Sequence, residues 1–214
     1  MTDRIVRPLL ALVFVFVLAG AAADGAAAFD DQQAVQFLGD LQERAAAELS
    51  DGSISDDVKE ERFRSLFNQS FDVPAIGRFV LGRYWRGASP QDRDAFLKVF
   101  EDVIVQRFLP LLAENTDRRF MIGTVTPIKG RTDMAFINSQ VPRAEGEPYK
   151  VSWRVREKEG RYKILDIRAE GVSMAQTLRS EYGTVIKRNG GKLNALTEAL
   201  REKVAGGAFA PRQQ

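Results

Sequence analysis

The 214-residue chain contains no cysteine and no histidine. Their absence excludes disulfides, thiol nucleophiles, Ser-His-Asp triads, histidine general bases and the usual zinc and haem sites, because each of these needs one of the two residue types. The folded chain must therefore be held together by its apolar core. We expect no catalytic residue, no metal site and no cofactor.

A strong net charge is also missing. The chain has 31 Lys and Arg residues against 29 Asp and Glu residues, which gives a formal net charge of +2. Proteins that bind nucleic acids carry a large basic surface, and this balance does not provide one. We expect no nucleic-acid partner.

The first 28 residues have the layout of a secretory signal peptide. Arg4 and Arg7 precede an apolar run at 9–19, and Ala26-Ala27-Ala28 offers a cleavage site. The alternative is a membrane anchor, but this run is well short of the roughly 20 residues that span a bilayer. We predict cleavage after Ala28 and a soluble mature chain that begins at Phe29, outside the cytoplasm.

Helical periodicity marks the next part of the chain. Apolar residues recur every three or four positions, which predicts helices over 31–49 and 56–69. Asp72 can cap a short helix that carries Ile76, Phe79 and Val80 on one face. A long helix begins at Pro90, and we expect Pro110 to bend or end it.

The apolar period then changes from 3.6 to 2. Four strands are predicted over 120–128, 132–141, 149–157 and 161–169, joined by short turns. Tyr149, Val151, Trp153 and Val155 alternate with polar residues, which indicates a strand with one buried face. Short connections between consecutive strands predict an antiparallel meander that is covered on one face.

Two further amphipathic helices complete the chain. The first is capped by Ser173 and ends at Asn189-Gly190-Gly191, and the second carries Leu193, Leu196, Leu200 and Val204. The order of helices, strands and helices predicts an α+β fold. We interpret 29–205 as one domain and 206–214 as a disordered tail.

The polar candidates admit simple structural interpretations. Arg78, Arg83 and Arg86 could pair with a phosphate or carboxylate, or they could solvate the surface of a short helix. Asp166 lies in a predicted strand, and alternation places it on the same face as Ile164. A buried carboxylate needs a partner, so we expect an arginine or a helix N-terminus beside it rather than a catalytic role.

The abundant aromatic residues leave two interpretations open. Trp85, Trp153 and the phenylalanines occur at helical or alternating spacing, which is typical of an ordinary core. The same pattern would line a hollow core built to hold an apolar ligand. Composition does not separate the two.

Two segments resemble a known family. FDVPAIGRFVLGRYWRGASPQDRDAFLKVF, which begins at Phe71, and RYKILDIRAEGVSMAQTLRSEYGTVIKRNGG, which begins at Arg161, are similar to the periplasmic MlaC proteins, also called the toluene-tolerance family. The similar positions include Asp72, Trp85-Arg86, Glu170-Gly171-Val172-Ser173 and Arg179. Thr177-Leu178 and Tyr182 depart from the family pattern.

The resemblance implies a periplasmic lipid carrier. Such a protein moves a phospholipid, or a hopanoid-like lipid, between an outer-membrane lipoprotein complex and an inner-membrane ABC transporter complex. It implies a curved four-stranded sheet whose helices enclose an apolar pocket, with head-group or partner contacts at Arg78, Arg83 and Arg86. The wall residues that we infer are Val73, Ile76, Phe79, Val80, Phe100, Ile104, Tyr149, Val151, Trp153, Val155, Ile164, Val172 and Met174.

Two alternatives belong to other functional classes. A helix-plus-curved-sheet arrangement is also used by small isomerases and dehydratases with a conical pocket, and Asp102 or Asp166 would then be the acid. A binding or scaffold protein whose cavity is filled by its own side chains is the third hypothesis.

Overall fold

The computed structural model describes residues 29–113, 119–143 and 145–210. The predicted signal peptide lies outside these ranges. Within them, no helix is both long and apolar enough to cross a membrane. The helices are α1 (Asp31–Leu49), α2 (Asp56–Ser70), α3 (Val73–Leu81), α4 (Arg83–Gly87), α5 (Pro90–Ala113), α6 (Met174–Arg188) and α7 (Leu193–Ala205).

The strands form one antiparallel meander, so the predicted α+β class is confirmed. Their order in the sheet is β1-β2-β3-β4-β5, the same as their order in the chain. The sheet is curved and does not close on itself. The strands are β1 (Met121–Pro127), β2 (Met134–Val141), β3 (Tyr149–Lys158), β4 (Arg161–Ala169) and β5 (Val172–Ser173).

The fifth strand is an addition to the four that were predicted. Glu170 and Gly171 both have positive φ angles, 50° and 80°, which is the two-residue turn that suits the twist of a hairpin. The turn sets Val172 opposite Ala169. A strand of two residues shows no alternation, so the sequence pattern could not reveal it.

A β-bulge in β4 changes the predicted position of Asp166. Val155 pairs with Ile164, but Arg154 pairs with Asp166, so Leu165 is an extra residue in β4. Neighbouring residues of β3 point to opposite faces of the sheet. Asp166 therefore shares the face of Arg154, and its predicted place beside Ile164 is wrong.

Helix α1 covers one face of the sheet. Asp30 caps it, because the Asp30 carboxylate accepts hydrogen bonds from the backbone N–H groups of Gln32 and Gln33 at 2.9 and 3.0 Å. The buried side chains between helix and sheet form what we call the sheet core. Its members are Ala34, Leu38, Ile137, Val155 and Ile164, each with 0 % exposure.

A second and larger cluster, the helix core, joins helices α2, α3, α5, α6 and α7. Gly77 brings α3 against α5, since a Cβ at this position would collide with Leu97. Helix α5 does not end at Pro110 but continues to Ala113. The proline is tolerated because it lies in the last turn, where few backbone hydrogen bonds are lost. The fully buried aromatic and aliphatic members include Phe96, Phe100, Val80, Leu81, Ile186 and Leu196.

Part of the tail that we expected to be disordered is packed. The backbone N–H of Phe209 donates to Oε1 of Gln106 at 3.0 Å. The guanidinium carbon of Arg107 lies 5.7 Å from the centre of the Phe209 ring. The first residues after α7 therefore lie along α5, and residues 211–214 lie outside the described ranges.

Candidate functional site

A cavity of about 520 Å³ lies between the helix core and the sheet core. Helices α1, α2, α5 and α6 form most of its wall, and β3 and β4 close it from the side of the sheet. Its volume falls in the range of pockets that hold small molecules, roughly 300–1,000 Å³. The two cores thus pack against each other incompletely and leave a hollow between them.

The wall of the cavity is overwhelmingly apolar. Five of its residues are polar or charged, namely Gln42, Arg107, Asp166, Thr177 and Glu181. The apolar residues are Leu41, Ala45, Leu49, Phe63, Leu66, Phe67, Phe71, Ile76, Phe100, Val103, Ile104, Phe108, Leu112, Phe120, Trp153, Leu165, Ile167, Ala169, Val172, Met174, Ala175 and Leu178. Such a wall can remove a large apolar ligand from water without any reactive group.

The cavity reaches the surface near the end of α5 and the start of α6. Two of its wall residues are large exposed apolar side chains, Val172 at 63 % and Leu112 at 42 %. Thr177 and Glu181 of α6 are also exposed wall residues. This mouth therefore combines apolar and polar groups, whereas the interior holds aromatic and aliphatic ones.

The carboxylate of Asp166, a residue of this wall, is fully engaged by hydrogen bonds and an ion pair. Its carboxylate accepts hydrogen bonds from Ser173 Oγ at 2.7 Å and from the backbone N–H of Ala175 at 3.0 Å. Arg168 Nε lies 3.8 Å from the same carboxylate. We expected either an arginine or a helix N-terminus beside Asp166, and the structure has both. The carboxylate thereby holds α6 to β4 at the edge of the cavity.

Trp153 is positioned by its own hydrogen bond. The indole N–H donates to Ser139 Oγ at 2.9 Å, and the ring packs against Phe120 with 5.3 Å between ring centres. Phe120 is fixed in turn, because its backbone N–H donates to Gln42 Oε1 at 2.7 Å. These contacts fix the aromatic side of the cavity.

Six of the thirteen predicted wall residues line the cavity. They come from four different parts of the chain, α3, α5, β3 and the β5–α6 junction, which lie close together only in the folded protein. They are Ile76, Phe100, Ile104, Trp153, Val172 and Met174.

The other seven lie elsewhere. Val73 and Val80 are buried in the helix core, and Val155 and Ile164 in the sheet core. Val151 is buried beside Ser139 on the inner face of the sheet.

Tyr149 and Phe79 lie at the periphery. Tyr149 starts β3 beyond the cover of α1, is 46 % exposed and stacks against Arg143. Phe79 lies on the side of α3 that faces Arg154 and Arg179. Alternation correctly grouped the apolar face of β3, but it could not show where the helix covering that face ends.

The three predicted arginines also lie outside the cavity. Arg78 borders a separate open cleft of about 870 Å³ that is rich in charges, together with Asp72, Trp85 and Arg156. Arg83 donates to the hydroxyl of Tyr84 at 2.9 Å. Arg86 is exposed, and its carbonyl accepts a hydrogen bond from Arg93 at 3.4 Å. Helix α3 turns only Ile76 toward the cavity, which leaves the arginines after it on the outer surface.

The wall residues that sequence reasoning missed come mainly from α1, α2 and the end of α5. Leu41, Ala45 and Leu49 continue the apolar stripe of α1 that begins at Ala34 and Leu38. The stripe was visible in the sequence. The signal was the length of this stripe: it extends beyond the part of α1 that packs on the sheet, so its last residues must face something else.

A sequence model of the MlaC protein family matches residues 39–202, more than half of the chain. The chain belongs to the MlaC family. The match includes most of α1 and all of α2, α5, α6 and the sheet, which are the elements that enclose the cavity.

Two relatives are similar to this chain in sequence. The intermembrane phospholipid transport system binding protein MlaC of Haemophilus influenzae is 29 % identical over 119 residues, which cover 53 % of this chain and 54 % of the relative. The chain thus spans about half the length of that relative. Toluene tolerance protein ttg2D of Pseudomonas putida is 20 % identical over 93 % of this chain and 90 % of its own length.

The solved structure supports the fold. It is a phospholipid-binding protein from Ralstonia solanacearum in complex with a phospholipid. It is 21 % identical and superposes with a TM-score of 0.66, covering 82 % of this chain and 98 % of that protein. At this level of identity the likeness establishes a common architecture.

Proposed function

We propose that this protein is a lipid carrier that holds the acyl chains of a phospholipid in the cavity. The observation that carries the proposal is the apolar hollow between the two cores, which 22 apolar side chains line. Relatives support it, because one is named for intermembrane phospholipid transport and a protein of the same fold binds a phospholipid.

The energetics of lipid transfer explain why such a cavity is useful. Exposing a phospholipid with roughly 30 methylene groups to water costs on the order of 20 kcal/mol or more, at about 0.8 kcal/mol per group. A lipid therefore hardly leaves its bilayer alone. The cavity removes most of this cost by burial, and no bond is made or broken, so the protein needs no catalytic residue.

The head group belongs at the mouth in this proposal. Arg107 lines the cavity from α5 and provides a cation for a lipid phosphate, and Thr177 and Glu181 offer polar groups nearby. The exposed Val172 and Leu112 would meet the part of the lipid that emerges first.

The carrier would act in the periplasm. After removal of residues 1–28 the carrier would work in the periplasm and exchange lipid with an outer-membrane lipoprotein complex and an inner-membrane ABC transporter complex. The predicted signal peptide and the membership of the MlaC family support this arrangement.

A single substitution in α1 tests the carrier function. Ala45 lines the cavity, so Ala45→Trp would place an indole in the volume that the acyl chains occupy. We expect co-purifying lipid to fall about tenfold or more, since overpacking typically costs about 1–3 kcal/mol and 1.4 kcal/mol is a factor of ten. Ala47→Trp is the control, because Ala47 is an exposed residue of the same helix.

The measurement is native mass spectrometry of protein expressed from the full-length sequence and purified from the periplasm. It reports the lipid bound per protein, the chemical identity of that lipid and the mass of the processed chain. A parent protein that carries no lipid, or an Ala45→Trp variant that carries as much as Ala47→Trp, would refute the proposal.

A further inference from the structure

The face of the sheet opposite α1 carries a group of arginines. Arg154 of β3 and Arg168 of β4 lie on this outer face, and Arg179 of α6 lies at its edge. We call these three residues the arginine cluster. Polar side chains continue the face across the neighbouring strands, where Ser152 donates to Asn138 at 2.8 Å and Asn138 donates to Thr126 at 2.9 Å.

Two aromatic rings hold the cluster in place. The guanidinium carbons of Arg154 and Arg179 lie 5.6 and 5.0 Å from the centre of the Phe79 ring. That of Arg168 lies 4.1 Å from the centre of the Phe136 ring. A guanidinium over a ring is attracted by the ring face and keeps the donors along its edge available.

The backbone around Gly82 helps to fix Arg179. Gly82 has a φ of 55°, and a Cβ at this position would lie 2.9 Å from Nη2 of Arg179. The absence of a side chain leaves the space that the guanidinium uses. From there Nη1 of Arg179 donates to the carbonyl of Phe79 at 2.8 Å.

The positive charge of the cluster is only partly compensated. Asp166 lies beside both Arg154 and Arg168, with 3.8 Å between its carboxylate and Arg168 Nε. Its side chain is only 2 % exposed and its oxygens also accept from Ser173 and from the N-terminus of α6, so one buried carboxylate offsets part of the charge of three arginines. The Nε atoms of Arg154 and Arg168 are buried and make no hydrogen bond. Burial lowers the pKa of Arg154; attraction to Asp166 opposes this shift, and repulsion from Arg168 and Arg131 adds to it.

We propose that the arginine cluster is a docking site for an acidic segment of a partner protein. Charge complementarity favours an occupant with several carboxylates, because Arg154 and Arg179 are held on one ring and Arg168 on another. An extended acidic segment offers a separate carboxylate to each arginine, whereas one small anion offers a single charged group. The inference concerns the sheet face away from α1 and does not depend on what the cavity holds.

A lipid surface fits this face less well. Proteins that bind to bilayers offer exposed apolar side chains to the interface, in addition to cations. Here the rings of Phe79 and Phe136 lie under guanidinium groups, so they do not project as anchors. The exposed apolar residues Val172 and Leu112 lie at the mouth of the cavity instead.

The test uses a fluorescein-labelled hexaglutamate peptide as the probe. It is titrated into protein expressed from the full-length sequence, and binding is followed by fluorescence polarisation and by the NMR signals of the arginine Nε–H groups. We expect the Nε–H signals of Arg154 and Arg168 to shift on binding. Arg168→Gln and Arg179→Gln should each weaken binding roughly tenfold, because each removes charge-assisted hydrogen bonds.

Arg161→Gln is the matched control. Arg161 lies on the same strand as Arg168 but beside Glu159 at the hairpin, with 75 % of its side chain exposed, so its loss should change the affinity less than twofold. Thermal midpoints of all variants establish that each one is folded.

Competing occupants are distinguished in parallel titrations. Inorganic phosphate and vesicles of phosphatidylcholine with phosphatidylglycerol replace the peptide. Saturation of the cluster by phosphate at lower concentration than by the peptide would overturn the proposal in favour of a small-anion site. Arginine-dependent binding to vesicles would overturn it in favour of a membrane surface. Equal peptide affinity in Arg168→Gln and Arg161→Gln would overturn it outright.

Discussion

The sheet core and the cavity beside it make an instructive comparison, because one helix covers both. Helix α1 places Ala34 and Leu38 over strands β2 to β4, where every core member is fully buried. The same stripe continues with Leu41 and Ala45, which border the hollow. Residues of the same types and spacing thus lie in a packed core at one end of the helix and in the wall of a cavity at the other.

The difference lies in what faces α1 along its length. At its beginning, Ile137, Val155 and Ile164 lie on the opposing strands and fill the space. Further along, the opposing surfaces are α2 and α5, which pack mainly in the helix core. A packed interior extends only as far as an opposing surface approaches, and a hollow begins where two surfaces diverge.

Truncation of leucines in α1 should give the largest contrast in stability. Leu38→Ala removes a fully buried side chain from a close-packed site and should lower the free energy of unfolding by about 2–5 kcal/mol. Leu41→Ala removes a partly buried side chain beside a hollow that already exists, so we expect a loss of about 1–2 kcal/mol from the transfer cost of the removed carbons. Urea denaturation of lipid-free protein measures both. Equal losses would mean that Leu41 lies in a core as tightly packed as that around Leu38.

Enlargement of alanines tests the same contrast in the opposite direction. Ala34 and Ala45 are eleven residues apart, about three turns, and so share one face of α1. Ala34→Trp should overpack the sheet core and cost about 1–3 kcal/mol or more. Ala45→Trp should leave the thermal midpoint nearly unchanged in lipid-free protein, because the indole enters empty volume. A midpoint that falls as far for Ala45→Trp as for Ala34→Trp would contradict the hollow.

The smallest change in stability at neutral pH is expected in the helix core, which contains a buried polar atom without a hydrogen-bond partner. The hydroxyl of Tyr182 is buried without a hydrogen-bond partner, and burial raises its pKa to about 12 from an ordinary value of 10.0. Tyr182→Phe should stabilise the protein by about 1 kcal/mol at neutral pH, because it removes a buried group that water had solvated in the unfolded chain.

The same substitution predicts a change in alkaline stability. The native state keeps the Tyr182 proton at pH values where the unfolded chain loses it. The contribution of the protonated hydroxyl to the free energy of unfolding is therefore fully present below pH 10 and is lost as the pH rises toward about 12. The parent should therefore lose on the order of 2 kcal/mol more than Tyr182→Phe across this window. Tyr149→Phe, at a 46 % exposed position, is the surface control for loss of a tyrosine hydroxyl.

Much of the fold could be read from periodicity. The bounds of α1 and the starts of α2 and α5 follow from apolar spacing. The four long strands follow from alternation. Helix α4 and strand β5 were missed, because five and two residues are too few to show a period.

The candidate site was only partly predictable. Ile76, Phe100 and Trp153 are among the predicted wall residues, and they line the cavity. Val155 and Ile164 satisfied the same pattern and lie in the sheet core. The bulge at Leu165 also reversed the face of Asp166, and no local pattern marks a single inserted residue in a strand.

The sequence by itself determined which faces of the long helices and strands turn inward, since apolar side chains at regular spacing are buried together. It also excluded thiol and histidine chemistry through the absence of both residue types. Only the tertiary structure decided which buried residues touch one another and which face a hollow. The physical reason is that the hydrophobic effect is non-directional: it drives Leu38 and Leu41 inward equally, and the distance to the opposing element decides the rest.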